Sequence, residues 1–236
     1  MPRRPLILVV LLTALALTGC TSAPAAVPST SAPTPVASIT PTGDGTLVIG
    51  TLFPMTGDQA AAGAAQVAGT ELALRDILAD QTIATQAVQL IHRNSAGDLA
   101  AAFADLATRG VDVVLWDAAT ALPADAEAST GNAAIIGLAD FANGGTPLAA
   151  DKAFAARLKS ADPGLVDTVG GAEAYDGVIT AALAAVITDD DGGPSLQAGW
   201  AQVTDGTAVC TSWGECLLGN DEKQIIDYQG ITGRRS

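Results

Sequence analysis

Histidine is almost missing from this chain: His92 is the single one among 236 residues. A structural zinc site gathers its ligands from Cys, His and carboxylates at close spacing. With one histidine and three cysteines, two of them far away in sequence from His92, no metal is expected. The imidazole lies inside the β-rich run Ala87–Arg93 and reads as a structural, buried or rim residue rather than a catalytic one. Neither a G-x-S-x-G elbow nor an H-E-x-x-H pair occurs. The acids Asp189–Asp191 sit in a turn with no partner base. No enzyme activity and no cofactor are expected.

Positive charge is also scarce. Lys and Arg number 11 against 25 Asp and Glu, a net charge of −14. So acidic a chain excludes nucleic acid as a partner, and electrostatic adhesion to anionic lipid with it. The acidity reads as serving solubility, with a cation-binding role as the alternative. A spanning segment is lacking too: the apolar stretch Leu6–Leu17 runs twelve residues, where a membrane helix needs roughly 20.

Behind Arg3 and Arg4, that short stretch suits the core of an export signal. It runs into Leu17-Thr18-Gly19-Cys20, which resembles the lipobox of bacterial lipoproteins, where the cysteine sulfur is acylated and the preceding peptide bond is cut. The expectation is a signal peptide over residues 1–19 and lipidation at Cys20. Membrane attachment then comes from acyl chains, and the protein works on the extracytoplasmic face. An uncleaved anchor, or an ordinary signal with a chance cysteine, stands as the alternative. Cleavage removes two basic residues and no acid, leaving a net charge of −16.

Residues 20–45 carry prolines at 24, 28, 33, 35 and 41 among Ser, Thr, Ala and Val. Such a tract buries too little apolar surface to fold and favours extended polyproline II. It reads as a tether reaching roughly 80 Å at about 3.1 Å per residue. The remaining cysteines, Cys210 and Cys216 in VCTSWGEC, are spaced C-x5-C. In an exported chain this most simply forms a disulfide, stabilising by about 2.4 kcal/mol through loop closure.

From Leu47 onward, short apolar runs alternate with helical patterns. Strands are expected at 47–53, 87–93, 111–116 and 133–139. Helices are expected over 59–79, after a capping box at Ser95–Asp98, over a short stretch at 121–130, and over 148–159 and 170–187. The first helix is expected to bury Ala60, Gly63, Val67, Thr70, Leu74, Ile77 and Leu78. The last is expected to bury a stripe of Tyr175, Val178, Ile179, Leu183 and Val186. DDDGGP (Asp189–Pro194) reads as a solvated turn, lacking the alternating acids of a calcium loop. This order gives an α/β fold, a doubly wound parallel sheet covered on both faces. Ligands of such sheets collect at the carboxyl ends of the strands. That singles out three loops: PMTGDQAAAG, WDAATALPA and LADFANGG.

Four segments, in order, are similar to one family. LVIGTLFPMTGDQAAAGAAQVAGTELALRDI resembles the opening of type I periplasmic substrate-binding proteins, the branch for branched-chain amino acids and amides. VQLIHRNSAGDLAAAFADLATRGVDVVLW is similar to its second strand, helix and third strand, and AEAYDGVITAALAAV to a late helix. VCTSWGECLLGNDEKQIIDYQGITG resembles its cysteine-pair segment and YxGxxG turn. The resemblance implies a lipoprotein that delivers a small, amino acid-like ligand to the permease of an ABC transporter. By position it implies ligand contacts from Met55, Thr56 and Gly57, and from Ala118, Ala119 and Thr120. Ala62 stands where many relatives have tyrosine. Asp117 opens a loop that is usually Ser/Thr-rich; it would repel a carboxylate and could pair with an ammonium. The resemblance further implies a complete N-lobe over about 46–145 and a reduced second lobe over about 146–236, with a middle section and a tail absent. The competing expectation is a tethered interaction or sensor module, an abbreviated relative that has lost ligand binding.

Overall fold

The computed structural model describes residues 39–80, 87–117, 121–129, 131–142 and 144–233. The expected signal peptide, Cys20 and most of the expected tether lie outside the described residues, as do Ala118, Ala119 and Thr120. Residues 38–236 pack as one unit. No helix among the described residues is long and apolar enough to cross a membrane.

Four strands rich in Val, Ile and Leu form the main sheet: β1 (Thr46–Phe53), β2 (Ala87–Asn94), β3 (Val113–Trp116) and β4 (Ala134–Gly137). All pair in parallel in the order β2-β1-β3-β4. The step from β1 to β2 runs one way across the sheet and the step from β2 to β3 runs back over β1. Right-handed crossovers therefore put the connecting helices on opposite faces. α1 (Ala60–Ala79) covers one face, and α2 (Leu99–Thr108) and the short α3 (Ala126–Ser129) the other. Side chains divide with the two-residue period of a strand. Leu47, Ile49, Phe53, Val113 and Leu115 point toward α1, and Leu52 and Val114 toward Phe103 and Leu106 of α2.

α5 (Gly171–Thr188) lies beside α1 on the first face, with α6 (Gly193–Thr204) beyond it. Residues 171–185 are buried without a break, so the expected single stripe is corrected to burial all round. The helix is Ala-rich because neighbours close in from every side. α1 is corrected too. Gly63, Thr70 and Ile77 are buried as expected, but they share the buried face with Ala62, Ala65, Gln66, Ala68, Gly69, Leu72 and Ala73, whereas Ala60, Val67 and Leu74 are half-buried and Leu78 is 57% exposed. Small residues face α5 because the helices nearly touch: a Cβ on Gly69 would stand 2.1 Å from the carbonyl oxygen of Gly171. The N-cap of α2 is Asp98, whose carboxylate accepts from the Ala101 amide at 3.0 Å. Ser95 does not cap it, and Asp98 is no N3 residue; the carboxylate alone satisfies the N3 amide, that of Ala101.

The expected turn Asp189–Pro194 is a buried clamp rather than a solvated connection. Asp190 and Asp191 are 5% and 1% exposed. Asp190 accepts from the amides of Thr42 (3.3 Å) and Gly43 (2.9 Å), and Asp191 from that of Gly45 (3.2 Å). These backbone donors precede β1, have no sheet partner and are satisfied here instead.

α4 (Lys152–Ala161), capped by Asp151, packs on α1. Its Arg157 pairs with Asp76 of α1 at 2.5 Å and lies over the rings of Phe154 and Tyr175. Residues 146–236, expected as the reduced second lobe, thus supply both α4 and α5 to the core around the main sheet. They also form a small parallel pair, β5 (Ala208–Cys210) and β6 (Ile226–Tyr228), with α7 (Trp213–Asp221) between them. A disulfide joins Cys210 to Cys216. Past β6, the YQGITG turn folds onto α5. Asp176, fully buried, accepts from the Tyr228 hydroxyl (2.8 Å), the amides of Ile231 and Thr232, and the Thr232 hydroxyl (2.7 Å). Burial pushes its carboxyl up, and these four donors oppose that.

Candidate ligand cleft

The chain direction across the sheet reverses between β1 and β3, so the loops leaving their carboxyl ends diverge and a crevice opens between them. Pro54 ends β1, because a proline donates nothing to a ladder. The first turn of α1 folds back tightly onto it; a Cβ on Gly63 would stand 2.0 Å from the Pro54 carbonyl oxygen. On the other side, the Asp117 amide donates to the Leu52 carbonyl at 3.3 Å and extends β3 by one residue.

The resulting cleft is about 330 Å³. Pro54, Gln59, Ala62 and Gln66 form one side, and Asp117 and Ala139 lie at the tips of β3 and β4. Gly145, Thr146, Pro147 and Val169 close the remainder. That last wall is fixed to α5. The Leu148 amide donates to Glu173 Oε1 at 3.0 Å, the Gly170 amide donates to the Leu148 carbonyl, and Ala149 bridges Val169. Burial raises the Glu173 carboxyl above its ordinary range, against the Leu148 hydrogen bond.

Two polar side chains in the lining are buried. Asp117 is 6% exposed and Gln66 is 4% exposed. Gln66 packs its amide on Gly170, whose φ of +76° and lack of a side chain admit it; a Cβ there would stand 2.8 Å from Nε2. Gln66 Oε1 has no hydrogen-bond partner. A buried acceptor left unpaired is unfavourable by about 1–3 kcal/mol.

Met55, Thr56 and Gly57 stand just outside this lining. Asn94, the last residue of β2, accepts from the Met55 amide at 2.9 Å and donates to Thr56 Oγ1 at 2.8 Å. Gly57 turns the chain at φ +78°. The Thr56 oxygen thus serves the loop. Ala62 lines the cleft. Gln59 falls within the first loop singled out from sequence; Gln66, Thr146, Pro147 and Val169 were missed, and the one available signal was Gln66, a polar residue within the Ala/Gly face of α1.

The chain is similar in structure to a branched-chain amino acid transporter substrate-binding protein, LivJ, from Streptococcus pneumoniae, solved in complex with isoleucine. The identity is 14% and the TM-score 0.49, over 81% of this chain and 91% of that one. No protein-family model matches the sequence, and no curated protein does.

Two other arrangements have less to offer a solute. A groove of about 420 Å³ runs along α1 past Met55, Val67 and Glu71 to Ala161 and Asp162. It is more apolar, and its charged groups sit at the rim instead of converging. Thr51, His92 and Glu71 form a hydroxyl–imidazole–carboxylate chain, with Oγ1 to Nδ1 at 2.8 Å and Nε2 to Oε1 at 3.1 Å. Thr51 is fully buried, however, so its hydroxyl reaches no substrate. Among the described residues, no three Cys, His, Asp or Glu side chains are placed to hold a metal ion.

Proposed function

We propose that this chain is an extracytoplasmic solute-binding lipoprotein. It takes a small ligand of the branched-chain amino acid or amide class into the strand-tip cleft and passes it to the permease of an ABC transporter. The observation that carries the reading is the cleft itself: a concave site at the sheet's switch point, apolar on most sides, with two buried polar side chains in its lining. That is the usual composition of a small-molecule site. The ordered resemblance of four segments and the lipobox-like LTGC add independent support from sequence.

Thermal unfolding of the full chain with a panel of amino acids and amides tests the reading. A ligand at 100 times its dissociation constant stabilises a protein that binds it only when folded by about 2.7 kcal/mol. The expected outcome is a raised melting temperature with at least one member. Silence across the panel at millimolar concentration removes the solute-binding reading and leaves the tethered interaction module. The anchor is tested separately: Cys20→Ser is expected to abolish lipid labelling, and continued labelling of that variant excludes the lipobox.

A further inference from the structure

We propose that Gln66 sets the specificity of the cleft: its side-chain carbonyl accepts an N–H from the ligand, and a neutral carboxamide supplies it rather than a charged amino or carboxylate end. This rests on the reading of the strand-tip cleft as the ligand site. It names the residue and the chemistry by which that site chooses.

Gln66 is out of keeping with its surroundings. One helical turn away on either side stand Ala62, Gly63, Gly69 and Thr70, all small. Thr70 donates its hydroxyl to the Val67 carbonyl of its own helix at 2.8 Å. Among them the long Gln66 side chain is 4% exposed, lines the cleft and leaves Oε1 buried without a donor. An apolar side chain of the same length would fill the space and leave no acceptor unpaired, so stability gives no reason for glutamine here.

Gly170 makes the room for the amide. A Cβ there would stand 2.8 Å from Gln66 Nε2 and 2.9 Å from Cγ, and Gly170 directly follows Val169 of the same lining. Oε1 faces protein. The last torsion of a glutamine is broad, and no hydrogen bond of Oε1 resists the turn that carries it toward a ligand.

The lining decides what kind of N–H is taken. No Lys, Arg or His lies among its described residues, so a carboxylate finds no cation. Asp117 already has an interaction of its own, which leaves an ammonium to neutral acceptors. Moving a full charge from water onto neutral partners is far more costly than moving an amide. A carboxamide carries an N–H for Gln66 and no charge. Its carbonyl meets a lining whose other side-chain donors, Gln59 and Thr146, are neutral as well. The remaining walls, Pro54, Ala62, Ala139, Pro147 and Val169, are apolar and suit a short branched aliphatic tail.

The test is calorimetric titration of the full chain in detergent with leucine and three probes on one skeleton: 4-methylpentanamide, 4-methylpentanoate and 4-methylpentylamine. The amide is expected to bind about tenfold or more tightly than the acid or the amine. An acid or amine that binds as tightly as the amide overturns the inference and leaves the proposed function standing, as does leucine binding with the amide silent. Silence from all four overturns the inference, and the wider panel of amino acids and amides then decides the solute-binding reading. Gln66→Met replaces the carboxamide by an apolar group of like length. It is expected to weaken the amide roughly 10- to 100-fold and to raise the melting temperature of the ligand-free chain, because the unpaired acceptor is gone. Gln66→Glu keeps the outline and is expected to shift the preference from amide to amine. A glutamine that only filled space would leave the order of the probes as it was, and an unchanged order in both folded variants overturns the assignment.

Discussion

Asp112 shows how much a single side chain's surroundings decide. Its carboxylate accepts the Val48 amide at 2.8 Å, at the amino end of β1. Burial, reinforced by Asp191, Asp44 and Asp190, pushes its pKa up to about 6 against the Val48 hydrogen bond. A carboxyl whose pKa is higher in the folded state than in the unfolded one holds its proton longer in the fold. Its contribution to stability is therefore most favourable at about pH 4 and falls as pH rises toward 6. Asp112→Asn keeps an acceptor for Val48 and removes the charge. After allowance for solvent screening, it is expected to raise the melting temperature at pH 7 by about 2–4 °C, with the difference vanishing near pH 4; melting at the two pH values checks this. Asp176 is the opposite case, since its four donors depend on it. Asp176→Ala removes the acceptor these donors share and is expected to destabilise by about 1–3 kcal/mol in a urea titration. Neither role is legible in sequence, which gives the charge of an aspartate but not its burial. The cysteine pair was legible, because so short a spacing between two cysteines leaves few other uses.

Among the elements, α1 and α5 set the tightest constraint. Gly69→Ala improves helix propensity by about 1 kcal/mol, yet the new methyl would stand 2.1 Å from the Gly171 carbonyl oxygen. A backbone atom cannot rotate away. Overpacking of this kind destabilises by about 1–3 kcal/mol, so the expected outcome is a net loss, measured by chemical denaturation. A gain in stability would show that the seam is looser than described. The strands β1 to β4 and the span of α1 were legible because continuous apolar runs and a 3.6-residue period are strong local signals. The buried face of α1 was legible only at Gly63, Thr70 and Ile77. With Ala and Gly nearly all round, the pattern has little contrast, and large residues drew attention away from small ones. α6, α7, β5 and β6 escaped for a related reason: three-residue strands and a helix opening on Gly-Pro carry almost no period to count.

For the molecule as a whole, the two ends of β1 serve different purposes. The carboxyl end opens into the cleft, and the amino end is where residues 42–45 are held by Asp190 and Asp191. The site's location was legible from strand order alone. Its lining was not, because Thr146, Pro147 and Val169 arrive from a stretch with no regular period. Eight residues of strand separate the two ends by about 26 Å, and changes so far apart are expected to act independently. Replacing both Asp190 and Asp191 by alanine should speed hydrogen exchange at the Gly43 and Gly45 amides. The same double variant should leave any ligand-induced thermal shift unaltered; loss of that shift would reveal coupling along the strand.

The clamp has a mechanical consequence as well. Tension arriving through residues 39–41 meets three hydrogen bonds to the turn between α5 and α6 before it reaches any rung of the β1 ladder. The fastening works as a strain relief does on a cable. A pull on these residues loads the helical layer first, and the crevice at the far end keeps its shape.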